Sequence, residues 1–264
     1  MAKPPVCLTI AGLDPSGGAG IIADIKTFSA FRCFAAAAVS SITFQNTVGV
    51  FGAEHQSGES VRRQVEPIIE DYEIAAVKTG MLPMREVIDE TAALIARMNG
   101  ARFVVDPVVR STSGFDLIDD EALRSLIRKL FPIADLVTPN RAEAERITGM
   151  PIQSRADVEA AAKSMRSMGA KNVLIKGGHL QAEIGRGKAV DHLFIGDDFH
   201  VLETEYIDTT ATHGTGCTLA AAITANLALG KNMFDSVTIA KKFVTDAIRS
   251  APMLGHGHSP INIT

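Results

Sequence analysis

The chain has 264 residues, 46% of them hydrophobic and 21% charged, which excludes an extended disordered protein. Its 26 basic and 30 acidic side chains give a formal net charge of −4. That balance disfavours sequence-independent nucleic-acid binding and attraction to an anionic membrane. Cys7, Cys33 and Cys217 are far apart and odd in number, so neither a disulfide framework nor a zinc motif is read. A reducing, cytoplasmic setting is expected, and no signal peptide is read at the N-terminus. Two uncharged stretches, 33–53 and 209–230, are long enough to span a bilayer, but their Ser, Thr, Asn, Gln and Gly content points to buried interior.

In chain order, Val6 to Ala11 predicts a buried strand, followed by a Gly-rich loop, Gly12 to Gly20, and a helix from Ile21 to Phe31. Phe34 to Ile42 is a second apolar run. Ser60 to Asp71 predicts a helix capped by Ser60. Ala75 to Thr79 reads as a strand and Met84 to Met98 as an amphipathic helix. Phe103 to Asp106 is a strand stopped by Pro107, and Asp119 to Leu130 a helix. Leu136 to Thr138 is a strand stopped by Pro139. Ser154 to Met168 predicts a helix with Ser154 and Asp157 as a capping-box variant. Val173 to Lys176 is a strand ended by glycines. Strand-like pieces at 189–195 and 199–206 precede helices Gly214 to Leu229 and Met233 to Ser250. Strands alternating with helices predict one α/β domain over residues 1–264 with a mainly parallel sheet. Ligands of such sheets bind beyond the carboxyl ends of the strands, so the loops after strands are the informative ones.

The first of these loops contains Gly18 to Ala23, which matches a relaxed GxGxxA pattern. The acid that a dinucleotide site needs at the end of the second strand is missing, and no GxxxxGK[ST] motif occurs. Asp24, one turn into the next helix, either compensates the helix dipole or accepts from a substrate. Asp106, at a buried strand end, needs a cation or a hydrogen-bond donor. The polar segment Arg110 to Gly114 reads as a lid. Asn140 and Glu143 follow a strand and are either a capping box or organisers of Mg²⁺-bound water. Lys176 either neutralises phosphate or is a solvated strand end. Gly214-Thr215-Gly216-Cys217 opens an uncharged helix, where first-turn amides form an anion hole. The positive end of that helix is expected to lower the Cys217 thiol pKa. The alternative for Cys217 is simple packing, which is also the reading for Cys7 and Cys33. His256 and His258 are read as part of a loop rather than a metal site.

Several segments form an ordered set: Ala11 to Gly20, Gln45-Asn46-Thr47, Lys78-Thr79-Gly80-Met81, Asp106-Pro107-Val108, Thr138 to Glu145, Lys176-Gly177-Gly178-His179 and Gly214 to Thr218. On this set the chain resembles the hydroxymethylpyrimidine/phosphomethylpyrimidine kinases of thiamine biosynthesis, in the ribokinase-like superfamily. The resemblance implies a three-layer α/β/α sandwich, a homodimer, ATP and Mg²⁺, and phosphorylation first of a hydroxymethyl group and then of the monophosphate. It implies that Cys217 is the catalytic base, with Gly214, Thr215 and Gly216 as the anion hole. Gln45 would bind the aminopyrimidine, with Gly12, Asp24, Met81 and Val108 around it. Asn140, Lys176 and Asp106 would face the nucleotide, and Glu143 and Asp106 would serve the metal. Phe44 stands where relatives often carry a small residue and is expected to reshape the pyrimidine pocket. Ser259 stands where Gly is often found. Pyridoxal kinases share this machinery but often carry a Cys in the lid, which Arg110 to Gly114 lacks. A pyridoxal kinase and a non-catalytic pyrimidine sensor are the competing readings.

Overall fold

The computed structural model describes residues 3–109, 117–177 and 185–263. The strands β1 (Val6–Leu13), β2 (Phe34–Gln45), β3 (Val50–His55), β4 (Ile74–Thr79), β5 (Arg102–Val105), β6 (Leu136–Val137), β7 (Asn172–Ile175), β8 (Lys188–Ile195) and β9 (Asp198–Glu205) form one sheet. Its order is β3-β2-β1-β4-β5-β6-β7-β8-β9. The strands from β2 to β7 pair in parallel, while β3 and the β8–β9 hairpin add antiparallel edges.

Both faces of the parallel strands are buried, so they read as near-continuous apolar runs. Successive side chains serve opposite layers. Phe103 and Val105 of β5 join one core and Val104 the other, and Ile175 and Leu174 of β7 divide in the same way. The first core takes the helices α2 (Gly58–Asp71), α3 (Arg85–Ile95), α4 (Asp120–Lys129), α5 (Arg141–Thr148) and α6 (Arg155–Ser167). The other face carries α1 (Gly20–Ala30), α7 (Thr215–Ala228) and α8 (Met233–Arg249). This is the three-layer α/β/α arrangement. Helix α7 is uncharged and buried almost all round from Thr218 to Leu227, as a helix wedged between a sheet and other helices must be. No helix among the described residues is long and apolar enough to cross a membrane.

The sequence-based elements are recovered within a few residues, with instructive exceptions. Strand β2 continues to Gln45 because β3 pairs with its polar end, from Ser41↔His55 to Gln45↔Val50. Strand β3, Val50-Phe51-Gly52-Ala53-Glu54-His55, is short, interrupted by Gly52 and has no buried residue, so the pattern of burial did not mark it. Helix α2 is capped by Ser57, whose Oγ accepts from Ser60 N at 3.1 Å, not by Ser60. The Ser154–Asp157 capping box forms. The stretch 33–53 is not all interior, since Phe34, Phe44, Val48 and Phe51 are exposed.

One buried ion pair ties the centre of this fold together. Lys78 of β4 donates to Asp24 of α1 through Oδ1 at 2.9 Å and Oδ2 at 2.8 Å. Thr9 Oγ of β1 donates to Asp24 Oδ2 at 2.6 Å. Both charged side chains are 0% exposed. Removing one partner strands the other charge out of water. Asp24→Ala is therefore expected to lower stability by about 3–5 kcal/mol, measured as a drop in the urea unfolding midpoint at unchanged m. A midpoint equal to wild type would show that the pair carries no such weight.

Candidate active site

Strand β1 connects to β2 on one side of the sheet and then, through β3, to β4 on the other. The chain ends of β1 and β4 therefore diverge at a topological switch point, where α/β sheets bind ligands. A cleft of about 590 Å³ opens there. Gly12, Gln45, Met81, Val108, Asp106, Asn140, Glu143, Lys176, Gly214, Thr215, Gly216 and Cys217 all line it. Residues as far apart in sequence as Ala11 and Ile248 thus share one cavity.

Asp24 is the exception and requires a correction. It does not line the cleft, because Lys78 and Thr9 occupy its carboxylate in the interior. It is not placed to touch a substrate. Phe44 also departs from expectation. Thr43 and Gln45 face the cleft, and strand alternation turns Phe44 away to 52% exposure. It does not shape the pocket directly.

At one end of the cleft, Gln45 sits on the last residue of β2, with Thr43, Gly12 and Met81 nearby in the lining. Asp14 organises this end. Its Oδ1 accepts from Ser16 N at 2.8 Å and Ser16 Oγ at 2.7 Å, and its Oδ2 accepts from Ala19 N at 2.8 Å and Gly18 N at 3.2 Å. His213 Nε2 is 2.7 Å from the same Oδ2. Burial pushes the Asp14 carboxyl up, but hydrogen bonds from His213, Ser16 and Gln45 outweigh it and hold the carboxyl well below the usual range. An acceptor-only carboxylate requires the His213 proton on Nε2.

In the middle lies the start of α7. Gly214 takes the N-cap position in the left-handed region, φ 84°. A Cβ there would lie 1.8 Å from the Gly18 carbonyl oxygen, so glycine is required by both space and backbone. The first-turn N–H groups that follow belong to residues with no preceding helical turn to accept them. Cys217 sits in that turn. Burial pushes its thiol up to about 11 against the pull of Lys78, with Asp106 and Asp24 adding to the rise. The expected lowering by the helix dipole is thus overturned, because burial and two nearby carboxylates outweigh it.

Beside it, Lys176 Nζ donates to Asp106 Oδ1 at 2.8 Å and lies 3.9 Å from Glu143 Oε2. Burial alone would push the Lys176 ammonium down, but Asp106 and Glu143 hold it above its ordinary range. Lys176 is therefore a paired cation at the cleft, not a solvated strand end. Asn140 and Glu143 form the capping box of α5: Glu143 N donates to Asn140 Oδ1 at 2.9 Å and Asn140 N to Glu143 Oε2 at 2.8 Å. Glu143 Oε1 accepts from Val109 N at 3.3 Å. Burial pushes the Glu143 carboxyl up against the pull of Lys176. Both Glu143 oxygens thus accept from backbone N–H groups, as the capping-box reading expected. Asp106 Oδ1 is likewise taken by Lys176 and by Thr138 Oγ at 3.2 Å.

The far end of the cleft was not anticipated. It is lined by Asp191 of β8, Tyr206 and Ile207 after β9, and Lys241, Val244 and Ile248 of α8. Asp191 Oδ1 accepts from Gly177 N at 2.7 Å, and Lys241 Nζ donates to Asp191 Oδ2 at 2.8 Å. Lys78 and His213 were also missed as lining residues. A Lys directly after the apolar run Ile74 to Val77, within the same buried strand, is a readable signal, since a buried ammonium needs a partner. The 50-residue separation of Asp191 and Lys241 left none. The expected lid at 110–114, and Gly178 and His179, lie outside the described residues.

Known proteins share this architecture. A family model described as phosphomethylpyrimidine kinase matches residues 14–262. The hydroxymethylpyrimidine/phosphomethylpyrimidine kinase of Bacillus subtilis (strain 168) is 42% identical over 255 residues, covering 97% of this chain and 93% of that protein. Among solved structures, the phosphomethylpyrimidine kinase from Clostridium difficile 630 superposes with a TM-score of 0.80 at 41% identity, over 92% of this chain and 99% of that one. The pyridoxal kinase from Staphylococcus aureus in complex with AMP-PCP gives a TM-score of 0.91 at 32% identity, over 99% of this chain and 94% of that one. Matched along nearly its whole length by family model, sequence relative and fold alike, the chain belongs to the phosphomethylpyrimidine kinase family.

Proposed function

We propose that the protein transfers the γ-phosphoryl group of ATP to 4-amino-5-hydroxymethyl-2-methylpyrimidine and then to the resulting monophosphate. The observation that carries this reading is a single cleft holding a polar amide at one end and a cation beside a helix N-terminus in its middle. Gln45 at the acceptor end offers both a donor and an acceptor to an aminopyrimidine edge. The amides of Gly214 to Cys217 stand where charge develops on the transferring group. Lys176 balances charge between the nucleotide phosphates. The far end, between the β8–β9 hairpin and α8, leaves room for the rest of the nucleotide.

The donor set suits a phosphate-borne Mg²⁺. Among the described residues no cluster of three or more metal-binding side chains exists, and the buried carboxylates here are hard oxygen donors. Asp106 would hold the ion through its second oxygen, and Glu143 and Asn140 would order its water shell. Bound there, Mg²⁺ would offset charge on the β and γ phosphates. The chain's own part is positioning. Gln45 and Met81 orient the acceptor, and Cys217 receives the acceptor hydroxyl's proton. Phosphoryl transfer depends mainly on such positioning and on electrostatics.

Pyridoxal phosphorylation is the second reading, favoured by the close superposition on the pyridoxal kinase. ADP release with Mg²⁺–ATP, compared across hydroxymethylpyrimidine, its monophosphate and pyridoxal, decides between them. Turnover of both pyrimidines, with product masses confirming one and two phosphates, is expected. Activity on pyridoxal alone would replace the acceptor and keep the rest, and binding of pyrimidine with no ADP release would make the protein a sensor.

With a thiol at about 11, roughly one molecule in ten thousand carries thiolate at pH 7. A raised thiol pKa means less of the proton-accepting form at low pH. Log kcat is therefore expected to climb with pH from 7 to 9 with a slope approaching one. Cys217→Ser is expected to lower kcat by about 10²–10⁴ with little change in the KM for ATP. Full turnover in that variant, or a flat profile in wild type, removes the thiolate from the reaction.

We also propose a homodimer. Phe51 at 69% exposure lies on edge strand β3, and Val48, Met253 and Leu254 are exposed as well. The 253–258 segment is tied to this region, since His258 N donates to Thr47 O at 2.8 Å. An apolar edge strand is an association surface. Light scattering is expected to give twice the 28.0 kDa chain mass for wild type and a monomer for Phe51→Glu. A wild-type monomer at micromolar concentration would refute it.

A further inference from the structure

After α8 the chain passes between two loops of the cleft as the segment Gly255-His256-Gly257-His258-Ser259-Pro260. On one side it presses on the turn that joins β2 to β3. His258 N donates to Thr47 O at 2.8 Å, and Gly257 N donates to Thr47 Oγ1 at 3.4 Å. A Cβ at Gly257 would lie 2.2 Å from the Thr47 carbonyl oxygen and 2.7 Å from Val48 Cα, so backbone meets backbone with no room for a side chain. On the other side it holds the loop before α7. Thr212 Oγ1 and His258 Nδ1 are 3.1 Å apart, His213 N donates to Ser259 O at 3.2 Å, and His213 forms a parallel bridge with Pro260. Ser259 is buried, and its hydroxyl oxygen accepts from Leu254 N at 2.9 Å, which closes the segment on itself.

Each anchor stands beside a group of the cleft. Thr47 follows Gln45 by two residues, in a turn that Asn46 closes: Asn46 N donates to Gly49 O at 3.1 Å, and Asn46 Oδ1 accepts from Val48 N at 2.9 Å. Gln45 forms the base of that turn, paired with Val50. A turn closed in this way moves as a unit, so a shift at Thr47 reaches Gln45. Asn46 and Val48 are exposed, so burial does little to hold the turn in place. At the other anchor, Thr212 O accepts from Thr215 N at 3.3 Å and from Thr215 Oγ1 at 3.0 Å, in the first turn of α7. We propose that the 255–260 segment is a strap that positions the phosphoryl acceptor, with His258 as a positioning residue. The strap sets the span between Gln45 and the first-turn amides of α7, and so where the acceptor hydroxyl stands relative to the transferring group. None of residues 255–260 lines the cleft, so the strap acts through the two loops it ties. The inference rests on the reading of Gln45 as the contact to the aminopyrimidine.

The test compares the KM for hydroxymethylpyrimidine with the KM for ATP in His258→Ala, His258→Asn and Gly257→Ala, in the full chain with Mg²⁺. His258→Ala removes the ring and keeps the N–H bond to Thr47. It is expected to raise the KM for the pyrimidine about fivefold, the weight of one neutral hydrogen bond, with the KM for ATP unchanged. His258→Asn places an amide where Nδ1 stood and is expected to restore the wild-type value. Gly257→Ala pushes the turn off the strap and is expected to cost about 10²-fold in kcat/KM for the pyrimidine. Amide hydrogen exchange over residues 44–50, measured without substrates, reads the tie itself and is expected to quicken in both alanine variants. A purely structural role would lower the urea midpoint and move both KM values together. Should Gly257→Ala fail to fold, His258→Ala still decides, because His258 is exposed. An unmoved pyrimidine KM or unmoved exchange in His258→Ala, an equal rise for ATP, no rescue by Asn, or a change of oligomeric mass in light scattering overturns the proposal. An unmoved pyrimidine KM in Gln45→Ala would instead remove the reading beneath it, while exchange at 44–50 still decides whether the strap holds the turn.

Discussion

Every part of the cleft depends on the close approach of two loops, one after β1 and one before α7. Gly214 presses so near the Gly18 carbonyl that neither a side chain nor a right-handed backbone fits. A Cβ on Gly18 would in turn meet the His213 ring at 2.3 Å. Asp14 and His213 close the contact with a 2.7 Å hydrogen bond. Ser259 adds a tie from the chain's end, its carbonyl accepting from His213 N at 3.2 Å. Gly18 of the dinucleotide-like pattern is therefore explained by loop against loop, and Gly20 by its left-handed backbone against the Gly12 carbonyl. The approach brings Asp14, Gln45 and the first turn of α7 to the same cleft.

Around that junction the buried charges come in pairs: Lys78 with Asp24, Lys176 with Asp106, and Lys241 with Asp191. Pairing answers the desolvation cost that a lone buried charge would incur. Each lysine also lines the cleft. A cleft for a polyphosphate needs positive charge that is fixed before the ligand arrives, because fixed charge needs no reorganisation during the reaction. Carboxylates paired with the buried lysines provide that, Asp24 from behind the cleft wall and Asp106 and Asp191 within it. The ammonium groups stay charged and in place without relying on the nucleotide to order them.

Much of this was legible in the sequence. Alternation of apolar runs with helical spacing fixed the layers, because parallel strands buried on both faces leave little room for polar residues. The loops at strand ends located Asp106, Lys176 and Cys217, because the switch point gathers strand ends wherever they fall in the chain, while Gln45 came from the resemblance alone. What the sequence hid was direction and partnership. Strand alternation turned Phe44 out and Gln45 in, which a motif read as a string does not reveal. Asp24 carries the spacing of a ligand residue, but its partner Lys78 lies 54 positions away. Asn140 and Glu143 fit two readings at once, and the structure forms the capping box while leaving both at the cleft. Strand β3, short and with no buried residue, is defined by its pairing with β2, which a pattern of burial does not reveal.

The state of Cys217 has a consequence for how the reaction is arranged. Many sugar kinases of the superfamily carry Asp in the base position, which the resemblance assigns to Cys217 here. A carboxylate there would add a third fixed negative charge beside Asp106 and Glu143, close to where a highly anionic donor must enter. A thiol held at about 11 is neutral during that approach and repels nothing. It acquires charge only in the small fraction that has lost its proton. Because the transferring group passes through a loose transition state, little assistance is needed before the bond to the leaving oxygen has weakened. On the proposed reading of Cys217 as proton acceptor, a weakly populated but strongly basic thiolate suits such a late proton transfer.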